Sequence, residues 1–195
     1  QENPEQSWEQ FDRWPPALRA LSLHIIELLD GLEPRARALV EAAEVLGVQA
    51  RIDMIAKLVG EDDPLEPIQQ ILDSSLAQAH GHSGKVRLGF GNALAQMAVY
   101  HQIPLSARIK LHASAADIVE DPGERLGHRA DASILPDGGL SLELQDYARA
   151  QGKRGEWSSA ATAYFRAMHL SPEPMRRDSL LLNAVDAIVA AGELP

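Results

Sequence analysis

Residues 86–119 read VRLGFGNALAQMAVYHQIPLSARIKLHASAADIV, and this stretch decides the fold because a strand, a turn and two helices follow one another in it. Val86, Leu88 and Phe90 alternate with polar residues or Gly, the two-residue period of a strand with one buried face. Gly91-Asn92 breaks that strand. Asn92 can cap a helix in which Leu94, Met97, Ala98 and His101 recur every three or four residues. Pro104 cannot continue this helix and opens a second one, predicted to lay Leu105, Ile109, His112, Ala116 and Val119 on a core.

Upstream of this stretch, residues 1–14 are polar and acidic apart from Trp8, Phe11 and Trp14, and are expected to form a flexible N-terminal segment. From Pro15-Pro16 a helical period carries Leu18, Leu21, Ile25, Leu28, Leu29 and Leu32, with Gly31 near its end. Pro34 opens the next helix, whose stripe is Leu39, Val40, Ala43 and Leu46, and Gly47 stops it. A shorter helix holds Ile52, Ile55, Ala56 and Leu58. After the polar turn Gly60-Glu61-Asp62-Asp63-Pro64, a further helix holds Leu65, Ile68, Ile71, Leu72 and Leu76. Ala77–Ala79 and Lys85–Phe90 are then predicted to pair as a hairpin across His80-Gly81-His82-Ser83-Gly84. Three helices followed by a hairpin is the order of a winged helix.

Downstream, the pattern after Asp121-Pro122-Gly123 resolves into helices near 123–134, 140–151, 156–170 and 174–191. Ala160, Tyr164, Ala167 and Pro172 follow the second half of the tetratricopeptide pattern, and Gly155 fits its inter-helix turn. The first half is poorer: Leu144, Tyr147, Ala148 and Gln151 stand where that pattern prefers Trp, Leu, Gly and Tyr. Small residues such as Ala160 and Ala167 let adjacent helices approach closely. The last helix, with Leu180, Leu181, Ala184, Ile188 and Ala191 on its face, is expected to leave an apolar flank for further repeats or a dimer contact.

Composition narrows the function. The 195 residues are 45% hydrophobic and only 5% aromatic, which suits stacked helices around a core. A net charge of −10 opposes nucleic-acid binding, which depends on Lys and Arg displacing counterions along the phosphates. The absence of Cys excludes disulfides, thiolate metal sites and cysteine nucleophiles. The chain begins on Gln1 with neither a basic-then-apolar leader nor an apolar run near 18 residues, so an internal piece of a cytoplasmic protein is expected.

Phe90-Gly91-Asn92-Ala93-Leu94, Ala98-Val99-Tyr100, Pro104, Arg108 and Leu111-His112 together resemble the segment that follows the ATPase core in LuxR-type transcriptional regulators of the maltose-regulon-activator-like, signal-transducing NTPase family. Leu32–Gly47 is similar to that family's Leu-x-Pro-x-x-Arg…Ala-x-Val-Leu-Gly helix. The resemblance implies a winged helix placed directly after an NTPase core, and it spans about residues 15–192. It also implies that position 92 approaches bound nucleotide, where the family carries His. Asn92 can still donate a hydrogen bond there but cannot become cationic.

Each residue with possible chemistry also has a plainer role. No P-loop occurs, so an autonomous NTPase is not expected, and nucleotide contact by Asn92 stands against the plainer role of an N-cap. His80-x-His82 has metal-ligand spacing but reads better as a solvated wing tip, and no metal site is expected. His112 on an apolar helical face reads as a core histidine with one satisfied nitrogen rather than a proton relay. Ser106, Ser114 and Ser133 lack a nucleophile elbow, so no catalytic residue is assigned. Glu41, Glu44, Asp62, Asp63, Asp117, Glu120 and Asp121 read as solvated charges. Residues 65–79 contain no Lys or Arg but do contain Glu66 and Asp73, which argues against a DNA-reading helix. Lys153-Arg154 and Arg176-Arg177 are basic pairs suited to helix ends.

The expected fold is therefore all-α: a helical lead-in and winged helix with one small hairpin over 15–103, followed by a tetratricopeptide-like region over 104–195. The expected function is a non-catalytic internal piece of an ATP-dependent LuxR-type regulator, which couples an NTPase core upstream to sensor repeats and a DNA-binding region downstream. ATP or ADP would be held by that core and not by this piece. Its partners would be those domains and a protein or small-molecule inducer, with Tyr147, Trp157 and Tyr164 as candidate partner-binding residues. Self-association is compatible with this reading, whereas direct nucleic-acid or membrane contact is not. The alternative is a free-standing repeat scaffold that binds a peptide or a partner protein.

Overall fold

Prolines at helix starts and glycines just past helix ends punctuate this chain, and they fall where the backbone changes direction. A computed structural model describes residues 15–47, 49–81 and 86–192. The segment 1–14, with its three aromatic residues, and His82 of the candidate metal pair lie outside the described residues. The chain divides into two compact units, Gln1–Leu111 and His112–Pro195. The division falls inside a helix, after the Pro104 start at which the sequence suggests a boundary.

The first unit runs α1 (Pro16–Asp30), α2 (Pro34–Leu46), β1 (Ala50–Arg51), α3 (Ile52–Val59), α4 (Leu65–Asp73), β2 (Ala77–His80), β3 (Arg87–Phe90), α5 (Ala93–Gln102) and the start of α6 (Leu105–Ile118). Its strands form one antiparallel sheet in the order β1-β3-β2, with Ala50 and Ala79 both opposite Leu88. From α2 to β3 this is the winged-helix order. The expected lone hairpin is thus an incomplete description: β1 adds a third strand. Its two residues are too few to show alternation in sequence, and it exists because Ala50 and Arg51 pair with a strand more than thirty residues away.

Ile25 and Leu29 of α1, Leu39 and Val40 of α2, Ile55 of α3, Ile71 of α4, Leu88 of β3 and Val99 of α5 are buried together in one core. Each large apolar side chain removed from water here contributes about 1.5–3 kcal/mol before conformational entropy is set against it. The stripes read from sequence are buried only in part, with Leu18 and Leu21 of α1 left 43% and 39% exposed. Leu65, first residue of α4, is 77% exposed, and Leu105, first residue of α6, is 59% exposed. A first-turn side chain has no preceding turn beneath it, so helical spacing alone does not bury it. Leu76 is buried, but from the turn beyond α4 rather than from the helix.

The second unit contains the rest of α6, then α7 (Pro122–Asp131), α8 (Gly138–Lys153), α9 (Trp157–Leu170) and α10 (Pro174–Ala191). Asp121 and Asp137 cap α7 and α8 by accepting from the backbone N–H groups of Glu124 at 2.8 Å and Leu140 at 2.9 Å. Leu140, Leu144 and Ala148 of α8 pack against Ala163, Ala167 and Leu170 of α9 and Leu180 of α10. The alanines allow this approach, and the buried Ser141 hydroxyl donates to the Ala167 carbonyl across it at 2.7 Å. The chain is mainly helical, with ten helices among the described residues. None of them is long and apolar enough to cross a membrane.

Candidate functional site

The three aromatic residues proposed from sequence to meet a partner fall into two different grooves of the second unit. Trp157 and Tyr164 come together. Trp157 begins α9 after the Gly155 turn, and its indole lies on the last turn of α8, where Gly152 makes room for it. A Cβ at Gly152 would sit 3.0 Å from the ring carbon Cζ3. Tyr164, two turns on, packs against Ala160, Ala161 and Ala187. These rings and the small residues Ala148, Gly152, Ala187 and Ala190 line an open groove of about 450 Å³ between α8, α9 and α10. Arg149 and Lys153 edge it on α8, and Asn183 and Asp186 on α10. The volume is that of a small-ligand or side-chain-binding cleft.

Tyr147 points elsewhere. Its ring covers the start of α7, where a Cβ on Gly123 would sit 2.8 Å from Cζ, and it lines a second groove of about 300 Å³ with Asp121, Glu124, Thr162 and Arg166. The Arg166 guanidinium is committed to Asp131 at 2.9 Å. The cation lining this second groove is therefore already engaged.

Asn92 stands at the N-cap of α5, where its Oδ1 accepts from the Ala95 N–H at 2.8 Å. The side chain is exposed, so its amide NH₂ faces outward from a helix start. Following it, the Arg108 guanidinium lies 5.0 Å from the Tyr100 ring centroid, within cation–π range.

The helix in the recognition position, α4, presents Leu65, Glu66, Gln69 and Asp73 to solvent. The nearest cation, Arg35 on α2, makes two 2.9 Å bonds to the Glu61 carboxylate and a third to the Asp63 carbonyl at 3.1 Å. Arg35 in turn holds the Glu61 carboxyl down to about 2. This surface is therefore acidic, and the Arg35 guanidinium beside it is already engaged.

Two ionisable sites were not legible in the sequence as such. Glu44, read from sequence as a solvated charge, is instead half-buried between α2 and α5, with its Oε2 shielded from solvent. It accepts a hydrogen bond from the Gln96 side chain, its Oε2 has no hydrogen-bond partner, and burial pushes its pKa up to about 8. The other site pairs His112 with His128, which sequence reading overlooked. Both rings are buried, with their Nδ1 atoms 3.0 Å apart, so one ring must donate and the other accept, and at least one stays neutral. Burial lowers the pKa of His128, Asp131 raises it and Arg166 lowers it. The core role expected for His112 thus includes a named partner.

His80 ends β2 and is exposed. Among the described residues, no three His, Asp or Glu side chains gather as metal ligands. Lys153-Arg154 closes α8, the end at which cations complement the helix dipole, whereas Arg176 and Arg177 lie in the first turn of α10, the opposite end, which corrects that reading. There Arg177 donates to the Ser171 carbonyl at 2.7 Å and Arg176 to the Gln145 side chain at 2.6 Å. No family model matches the chain, and no curated protein or solved structure does either.

Proposed function

We propose that this chain is the non-catalytic coupling piece of an ATP-dependent LuxR-type transcriptional regulator, lodged between an NTPase core and the sensor repeats and DNA-binding region. The observation that carries the reading is a winged-helix unit whose recognition-position helix, α4, bears Glu66 and Asp73 and no cation, in a chain that continues as a helical array. A winged helix with that surface suits protein docking better than a phosphate backbone. In this role the nucleotide state of the core changes the surface on which the winged helix rests, and the equilibrium between two dockings is what the repeats receive. ATP or ADP belongs to the core, with Asn92 as the residue of this chain able to reach toward it. The protein works in the cytoplasm, and the exposed Leu182, Val185 and Val189 of α10 offer a face for further repeats or a second copy.

A second reading, a free-standing scaffold for a peptide or partner protein, is favoured by the Trp157–Tyr164 groove alone. The coding sequence on either side separates the two. A Gly-x-x-x-x-Gly-Lys-Ser/Thr loop upstream and a helix-turn-helix downstream in the same reading frame are expected for the coupler. An initiator Met directly before Gln1 with a stop codon after Pro195 would overturn it.

A further inference from the structure

We infer that the groove between α8, α9 and α10 takes an acidic peptide segment of a partner protein, anchored by one large apolar side chain. The inference rests on the second unit being an interaction module, as both readings above have it, but on no link to a nucleotide. Its anchor site is the floor. Ala148, Ala187 and Ala190 contribute no atoms beyond Cβ, and Trp157 and Tyr164 wall the space they leave, giving about 450 Å³ with few polar atoms facing inward. Such a surface supplies little hydrogen bonding to a sugar or a nucleotide, but it gives an apolar side chain contact on several sides.

The rim selects charge. Lys153 and Arg149 stand exposed along the α8 edge, on a chain whose overall charge is −10, so an anionic segment is drawn to the one edge of the groove that favours it. Arg149 also pairs with Asp146 at 3.1 Å, which leaves Lys153 as the main cationic contact. Asp186 on the opposite edge repels a second carboxylate. The fitting segment therefore carries its acid on the α8 side of its apolar anchor. Trp157, 39% exposed at the mouth, is placed to close over that anchor, as aromatic residues do at the centres of interfaces.

The test is selection of a random dodecapeptide display library on the immobilised chain, with subtraction on the Ala190→Trp variant. That variant is designed to fill the groove from an exposed position, and its folding is checked by circular dichroism before it is used. Peptides dependent on the open groove are expected to combine a Leu, Met, Phe or Trp with neighbouring Asp or Glu. Lys153→Glu is expected to weaken them about tenfold, measured by fluorescence anisotropy of the labelled peptides. Groove-dependent peptides that are basic or uncharged, or that bind Lys153→Glu unchanged, overturn the charge class while leaving an interaction module in place. A selection that yields no groove-dependent peptide overturns the inference and the module together.

Discussion

Replacing Glu44 by Gln should stabilise this protein, by an amount that depends on pH in a way few substitutions do. The native carboxyl must be protonated to stay buried beside Gln96: its pKa is about 8 against 4.5 when exposed. Each unit of difference is worth about 1.4 kcal/mol. The folded state binds the proton that the unfolded state releases, so stability is whole below about pH 4.5 and falls as pH rises toward 8. At pH 7, about 2.5 units above the exposed value, the loss comes to about 3–4 kcal/mol, and solvent at the less buried part of the side chain trims it to about 2–3 kcal/mol. Gln has the same shape, can meet Gln96 and carries no proton to lose. Urea unfolding followed by far-ultraviolet circular dichroism at about pH 5, 7 and 8.5 should therefore show Glu44→Gln nearly level with the native chain at the lowest pH, with a gap that widens as pH rises. Parallel curves separated by a constant amount would refute the reasoning, because they would mean that Glu44 stays charged and solvated in the folded state.

Three further outcomes follow from the geometry. His128→Gln should flatten the acid sensitivity of unfolding below about pH 6.5: burial depresses the folded pKa of His128, so its contribution is present above the unfolded value and lost as pH falls. Thermal melts with the same acid slope in both proteins would contradict this. Asn92→Ala removes the 2.8 Å cap bond to Ala95 and should cost about 1 kcal/mol, while Asn92→Asp keeps most of that stability. Equal chemical-denaturation midpoints for all three would argue against the cap. Gly123→Ala pushes a methyl into the Tyr147 ring and should cost about 1–3 kcal/mol, read as a lowered melting temperature, whereas an unchanged melt would show that the ring moves freely.

The helices were legible because Pro and Gly mark their limits and the apolar period runs between them, as in Pro34–Leu46 and Pro174–Ala191. Asn92 was legible as a cap for the same local reason. What escaped was non-local. β1 is defined by its pairing with Arg87 and Leu88, which two residues cannot announce. Leu65 and Leu105 obey the helical period, yet among the described residues they stay exposed. Glu44 lies between Ala43 and Val45 on a helix whose buried side is wider than the stripe of large residues suggests, so a carboxyl at its edge was read as solvated. His128 sits in the polar run GERLGHRAD and gains meaning only when the fold brings it to His112. The grouping of Tyr147 with Trp157 and Tyr164 failed because α8 turns Tyr147 toward α7, while its Ala148 and Gly152 face the other groove.

In the proposed role, the winged-helix unit senses the nucleotide state of an NTPase core. Amide hydrogen exchange over residues 65–102, measured with the chain joined to that core in its ADP-bound and ATP-bound forms, tests it most directly. Protection of α4 and of the start of α5 is expected to differ between the two nucleotides. Identical exchange over these residues in both forms, with nucleotide bound in each, would contradict it.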